Sequence, residues 1–531
     1  MAPQPSQATE LLPAAELIGA LCLATDLGMG FPFEHGLQTT VIAMRLAERL
    51  EVDNETASQT YYAGLLSHVG CTTDAHVTAE VFAASLTDHL NPVMYGSPRE
   101  LVGGLLRALP DPETRGLPRA AQTVRRLPRL VRAQRPQLAA LCEVAQMLAE
   151  GVGLEPAVTG LLAYLTDRWD GKGPLRRGKG EEIPLPMRIV AVAEDAAYQR
   201  MLGGEEYAAR LVDEHGGRGL DPEVAACLVD RIGEILALDG LESAWDEALA
   251  LEPAPRLRLE GDAIDGAFAA MGNFADLISP WFAGHSAGVA ELAEGAARRC
   301  RLDEEDVVAV RRAAHVHDLG QVAIGVPVWH KPGPLSADEW EQVRLHPYHT
   351  ERVLSPSQFL AALAPIAAAH HERLDGSGYH RGSPGAELTM PARLLAAADA
   401  FHAMCEPRPH REVLEPERAA EELGAEANAG RLDPDAVAAV VAAAGQKAPR
   451  LERPARLTER EAEVVAMLAR GRQTKEVARA LGISVKTADR HIQNAYRKIG
   501  VSSRAAATLF TMEHGLVAWG ELPIERPEAR A

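Results

Sequence analysis

From His370 to His380 the chain reads His-His-Glu-Arg-Leu-Asp-Gly-Ser-Gly-Tyr-His, which packs adjacent imidazoles, two carboxylates and a glycine turn into one short stretch. Eleven of the 18 histidines of the 531-residue chain fall between His285 and His410, so the imidazoles are gathered rather than scattered. The same region holds His285 in Ala-Gly-His-Ser, the pair His317-Asp318 in His-Val-His-Asp-Leu-Gly, His346 in Leu-His-Pro-Tyr-His, and Asp399 in Ala-Ala-Asp-Ala-Phe. With His370 and His371 they make seven nitrogen and oxygen donors without sulfur. Imidazole with carboxylate suits Fe, Mn or Zn, and seven donors exceed what one tetrahedral ion uses. Two divalent metal ions bridged by Asp318 would use them all. Such a pair lowers the pKa of a bridging water and clamps the attacking and leaving oxygens of a phosphoryl displacement. Taken singly, each residue reads as an ordinary core or surface side chain, and Asp399 could pair with Arg393; seven together in this order outweigh that. His315, His330, His349 and His402 gain no such support.

Helices must position these donors. Alanine is abundant and aromatics reach only 5%, which favours helix over strand, while 47% hydrophobic and 24% charged residues are typical of a globular protein. The length suggests three or four domains. The nearest approach to a membrane span is the short apolar run from Ala436 to Gly445, so no membrane partner is expected. Met1-Ala-Pro-Gln-Pro-Ser-Gln does not open a secretory signal, and a cytoplasmic location is expected. Six scattered cysteines without a CxxC pair indicate neither disulfides nor a thiolate zinc site.

Residues 1–10 read as a flexible tail, 11–251 as a helical domain with helices such as His35 to Leu50 and Glu205 to Glu214, and 252–260 as a linker. Residues 261–445 read as a second helical domain, 446–455 as a linker, 456–520 as a small domain and 521–531 as a tail. The two large domains repeat each other. A shift of 250 places His35 on His285 and Gly70 on Gly320; a shift of 205 places Asp170-Gly-Lys-Gly on Asp375-Gly-Ser-Gly and Pro186 on Pro391. The first copy is therefore 250 − 205 = 45 residues longer between these anchors, with the excess within roughly 91–136. The chemistry has not been kept. Ser67 and His68 stand for His317 and Asp318, Leu165 and Thr166 for His370 and His371, and Glu194 for Asp399. The first copy is expected to be catalytically dead and to serve in pairing or sensing; the competing idea is a different ligand set of His35, His68, His76 and Glu194.

Asp276 to Leu414 resembles the HD superfamily of metal-dependent phosphohydrolases, and within it the HD-GYP family associated with cyclic di-GMP hydrolysis. The resemblance rests on HDxG at 317–320, HPxxT at 346–350 where the family usually has HPxxG, HHExxDGxGY at 370–379, and Arg408-Pro-His-Arg411. It implies that His285, His317, Asp318, His346, His370, His371 and Asp399 bind the metals, and that Arg408 and Arg411 meet the phosphates of a cyclic dinucleotide or other phosphorylated ligand. Three further positions depart from the pattern. Gln321 takes the substrate-facing place of a usual Lys, His380 replaces the Pro of GYP, and Trp281 stands where some members carry an extra Glu ligand, which favours two metals over three. The loss of a phosphate-facing cation is expected to weaken binding or turnover.

The net charge of −20 is unevenly spread. From Arg456 to Leu516 eleven Lys/Arg face six Asp/Glu, giving +5 and leaving −25 for the rest. Thr458 and Glu461 form a capping-box pattern, a second helix is expected from Thr474 to Leu481, and Ser484 caps a third over Val485 to Ile499. Two helices, a short turn and a basic third helix fit helix-turn-helix geometry. Composition alone leaves a helical docking domain equally open. LTxREAEV, ARGxxTKEVA, LGISxKTxxRH, YRKIGVSSRAAA and MEHGL resemble the LuxR-type DNA-binding domain almost end to end. The resemblance implies a homodimeric transcription factor on double-stranded DNA. Contact candidates are Lys486, Thr487, Arg490, His491 and Asn494, with Arg490 and Asn494 reading bases and Lys486, Lys498 and Arg504 meeting phosphates. The expected fold is mainly α: two tandem HD-type helical domains and a C-terminal four-helix LuxR-type helix-turn-helix. A phosphodiesterase localised by its DNA-binding domain, and a non-catalytic HD sensor, are the other readings.

Overall fold

The computed structural model describes residues 11–72, 82, 91–111, 114–240, 243–447, 454–514 and 516–517. The expected tails, His76 and most of the second linker lie outside the described residues. The protein is mainly α, 67% helical. It divides into two compact units: one holds the chain up to Ala283 together with Asp318–Ala361, the other Gly284–His317 with the chain from Ala362 onward.

The repeat is written into the elements. The first copy contributes β1 (Leu11–Pro13), α1 (Ala14–Met29), α2 (His35–Arg49), α3 (Asn54–Leu65), the long α4 (Gly116–Gly151) and α5 (Leu185–Gly203). The second contributes β2 (Arg258–Glu260), α6 (Asp262–Asp276), α7 (His285–Arg299), α8 (Glu304–Val316), α9 (His346–Leu354) and α10 (Met390–Met404). Helices α2 and α7 start 250 residues apart, each after a left-handed residue, Glu34 (φ 74°) and Gly284 (φ 83°). Helices α3 and α8 are capped by Asp53 and Asp303, which accept from Thr56 N and Asp306 N at 2.7 and 2.9 Å. Helices α5 and α10 start 205 residues apart, each with proline in the first turn. Both copies keep a buried ion pair beneath that helix, Arg188–Asp221 at 2.6 Å and Arg393–Asp433 at 3.1 Å.

The stretch expected as a linker over 252–260 is partly ordered. Its β2 pairs antiparallel with β1, Leu12 opposite Leu259, so the leading strands of the two copies join in the only sheet among the described residues. Helix α1 is buried on nearly all sides through Leu17, Ile18, Leu21 and Leu23, as expected of a helix that is apolar all round. Gly320 is forced by crowding. A Cβ on Gly320 would lie 2.0 Å from His346 O, and Gly320 N donates to Thr350 Oγ1 at 2.9 Å. That contact locks the turn after Asp318 onto α9.

The C-terminal domain has four helices, α11 (Glu459–Ala469), α12 (Thr474–Ala480), α13 (Val485–Ile499) and α14 (Arg504–Glu513). Thr458 and Glu461 form the capping box, and Ser484 Oγ accepts from Thr487 N at 3.0 Å. Val464, Leu468, Val477, Ala478, Ala488 and Ile492 make one core; Leu457, Ala462, Val465 and Ala495 make another beneath α14. No described helix is long and apolar enough to cross a membrane.

Candidate functional site

In the unit formed by 284–317 and 362 onward, Asp399 on α10 is the centre of a histidine cluster. His285 Nε2 lies 3.3 Å from Asp399 Oδ1, His317 Nε2 3.9 Å from the same oxygen, and His371 Nδ1 3.8 Å from Oδ2. The rings of His317 and His370 are 4.8 Å apart and those of His370 and His371 4.2 Å. His285, His317, His370 and Asp399 are all buried. Burial opposes the Asp399 charge, but His285 beside it and the fields of His371 and His370 win and hold its carboxyl well below the usual range. The Arg393 guanidinium engages Asp433 and the carbonyls of Leu388 and Gly385.

The imidazoles are set in a metal-binding tautomer. His317 Nδ1 lies 2.7 Å from Ala314 O and His370 Nδ1 2.6 Å from Ala367 O. A carbonyl only accepts, so Nδ1 carries the proton and Nε2 presents its lone pair. In the other unit His346 repeats the device with Val343 O at 2.6 Å, and its Nε2 lies 3.3 Å from Asp318 Oδ1. The chain passes between the units at the peptide bond joining His317 to Asp318. His285, His317 and Asp399 offer ligand atoms within 4.8 Å of one another, so this donor set fits a divalent ion.

Around the cluster, His371 stacks on Tyr379 with centroids 4.6 Å apart. Glu372 is buried and accepts from Arg381 N and Ser383 N at 2.8 and 2.9 Å, which ties the glycine turn to the histidine pair. The turn itself is structural, since Gly171 (φ 69°) keeps the conformation of Gly376 (φ 76°) without the ligands. Arg408 pairs with Glu406 at 2.8 Å, Arg411 donates to the carbonyls of Ala403 and Met404, and Gln321 binds the Asp318 carboxylate in its own turn. Two neighbours, His402 and Glu406, were not singled out from the sequence. Glu406 bridges His285 Nδ1 at 2.9 Å and His402 Nδ1 at 3.1 Å. The i, i+3, i+7 spacing of Asp399, His402 and Glu406 was the available signal.

The first copy is different. Glu194 accepts the Tyr95 hydroxyl at 2.7 Å and sits 3.8 Å from His68 Nε2, while His68 Nδ1 meets Ser67 Oγ at 3.0 Å. Tyr95 belongs to the extra segment. Burial, then the neighbouring His68, pushes His35 down to about 3, so its imidazole is neutral; Phe31 lies 4.5 Å away, ring to ring.

On the C-terminal domain, Lys486, Thr487 and Arg490 are exposed on α13, with His491 and Asn494 half-buried beside them. Lys498 Nζ is held within the domain by Glu461 at 2.5 Å and Arg456 O at 3.0 Å, and Arg504 Nε donates to Leu468 O at 2.9 Å.

Comparison with known proteins agrees with this architecture. The HD domain family matches residues 270–436, and the luxR family of bacterial regulatory proteins matches residues 455–511. The 3'3'-cGAMP-specific phosphodiesterase 3 of Vibrio cholerae is 29% identical over 413 residues, 77% of this chain and 90% of that protein. The cyclic di-GMP phosphodiesterase response regulator RpfG of Xanthomonas campestris is 42% identical over 119 residues, 22% of this chain and 32% of that protein. A crystal structure of a cyclic GMP-AMP specific phosphodiesterase of Vibrio cholerae aligns over 82% of this chain and 98% of that one, with 25% identity and a TM-score of 0.57. The chain thus carries a stretch of the HD domain family over residues 270–436 and a C-terminal helix-turn-helix stretch of the luxR family of bacterial regulatory proteins over residues 455–511.

Proposed function

We propose that this protein is a DNA-binding transcriptional regulator whose HD domain binds a metal pair and hydrolyses or senses a cyclic dinucleotide. The observation that carries the reading is the cluster of buried His285, His317 and His370 and half-buried His371 around Asp399, in one chain with an exposed basic helix α13. Asp318 and His346 complete the proposed ligand set, with Asp318 continuing directly from His317. When bound, the metals would supply Lewis acidity and an activated water for phosphodiester cleavage. The chain's own residues do the rest. The carbonyl-anchored histidines hold their Nε2 atoms ready, Asp399 neutralises positive charge in a buried setting, and Arg408 and Arg411 are the proposed phosphate contacts. Gln321 adds no cation there. Ligand binding alters DNA binding only if it favours one conformational state over another.

The phosphodiesterase names of the relatives, one of them similar over 77% of this chain, favour a second reading in which hydrolysis is primary and the DNA-binding domain localises it. Purified full-length protein, assayed for bound Fe, Mn or Zn and for hydrolysis of 3'3'-cGAMP and cyclic di-GMP with His370→Ala as control, separates the readings. Turnover abolished in the variant supports an enzyme; full metal with no turnover leaves a sensor; no metal in the wild type overturns both.

A further inference from the structure

Among the clustered histidines, His285 is anchored in its own way. His317, His346 and His370 each place Nδ1 on the backbone carbonyl three residues earlier. His285 opens α7 immediately after left-handed Gly284. Its Nδ1 faces a carboxylate, Glu406 Oε2, at 2.9 Å. The same carboxylate reaches Arg408 at 2.8 Å and His402 Nδ1 at 3.1 Å. All four side chains are substantially buried: His285 is 2% exposed, Arg408 10%, Glu406 13% and His402 24%.

We propose that Glu406 is a positioning residue of the metal centre, fixing His285 with its proton on Nδ1 and its Nε2 toward Asp399 while holding Arg408 beside the same site. A carboxylate partner makes an imidazole a stronger donor than a carbonyl partner does, so Glu406 raises the ligand strength of His285 above that of its neighbours. It also balances Arg408, so that the guanidinium sits beside a cationic centre without unrelieved repulsion. The inference rests on the metal-binding reading above, and it concerns an outer contact that the sequence alone did not reveal.

The test uses full-length protein stripped of metal, titrated with Mn2+ and measured for ions bound at saturation. Glu406→Ala is expected to weaken Mn2+ binding about 10- to 100-fold with the saturating number of ions unchanged. Glu406→Gln keeps an acceptor for Nδ1 and is expected to recover part of that loss. If the alanine variant does not fold, the glutamine variant carries the test: weaker binding at constant stoichiometry supports the inference, and wild-type affinity sinks it. One ion fewer at saturation would make Glu406 a direct ligand, with His285 and His402 completing a further site, and would overturn the positioning role. Wild-type protein that binds no Mn2+, Fe or Zn would instead refute the metal-binding reading itself.

Discussion

The Tyr95 hydroxyl donates to Glu194 at the position where the second copy has Asp399 facing His285. The segment that lengthens the first copy thus fills the polar centre that the repeat has lost. Tyr95→Phe removes one hydrogen bond from a buried carboxylate and is expected to lower stability by about 1–3 kcal/mol without changing metal content. Thermal denaturation alongside metal analysis checks both halves.

Metal should depend on the second copy alone. Asp399→Asn removes the carboxylate at the centre of the cluster, and His370→Ala removes an anchored donor; both are expected to reduce bound metal substantially. His35→Ala and Glu194→Gln should retain the wild-type content. A loss of metal in either first-copy variant would restore the idea of a ligand set built on His35, His68, His76 and Glu194.

His35 gives the first copy a dependence on pH. Its folded pKa of about 3 lies below the ordinary value of 6.5, so only the unfolded chain takes up this proton between those limits. The contribution to stability is fully present above pH 6.5 and falls as pH drops toward 3, by about 1.4 kcal/mol per unit. Between pH 7 and pH 5 the wild type is expected to lose about 2 kcal/mol more than His35→Gln. Parallel chemical denaturation at the two pH values measures the difference, and equal losses would contradict the assignment.

The buried pair under α10 is a separate point of vulnerability. Arg393→Met leaves Asp433, 8% exposed, without its cation and leaves two carbonyls without their donor. A loss of about 3–5 kcal/mol is expected, read as a lower denaturation midpoint.

For the helix-turn-helix, exposure sorts the candidates. With DNA sites selected from a random pool, Arg490→Ala is expected to relax preference at one base position, and Lys486→Ala to weaken all sites and reduce the salt slope by about 1. Lys498→Ala and Arg504→Ala are expected to act first on domain stability, because their charges are engaged by Glu461 and Leu468 O. Binding curves at several salt concentrations, with melting curves, separate these effects.

Much of this was legible in the residues. The shifts of 250 and 205 reappear as helix starts, because cap residues, prolines and apolar periods are local signals. The histidines around Asp399 were visible for the same reason. Glu406 was not, since its meaning depends on His285, more than a hundred residues earlier and brought close only by the fold. Likewise Lys498 and Arg504 look like any basic residues until their internal partners are seen. A three-residue strand ending in proline gives no periodic signal, so β1 and β2 emerge only from their pairing.

That pairing makes the two copies a dimer that dilution cannot separate. Leu12 and Leu259 join halves that one polypeptide already links, so their meeting carries an effective concentration set by the tether rather than by the amount of protein. In a dimer of identical subunits, one substitution alters both sites; here each half mutates alone. Tyr95 and Glu194 can therefore differ from the residues at the matching places of the second half without any change to His285 or Asp399.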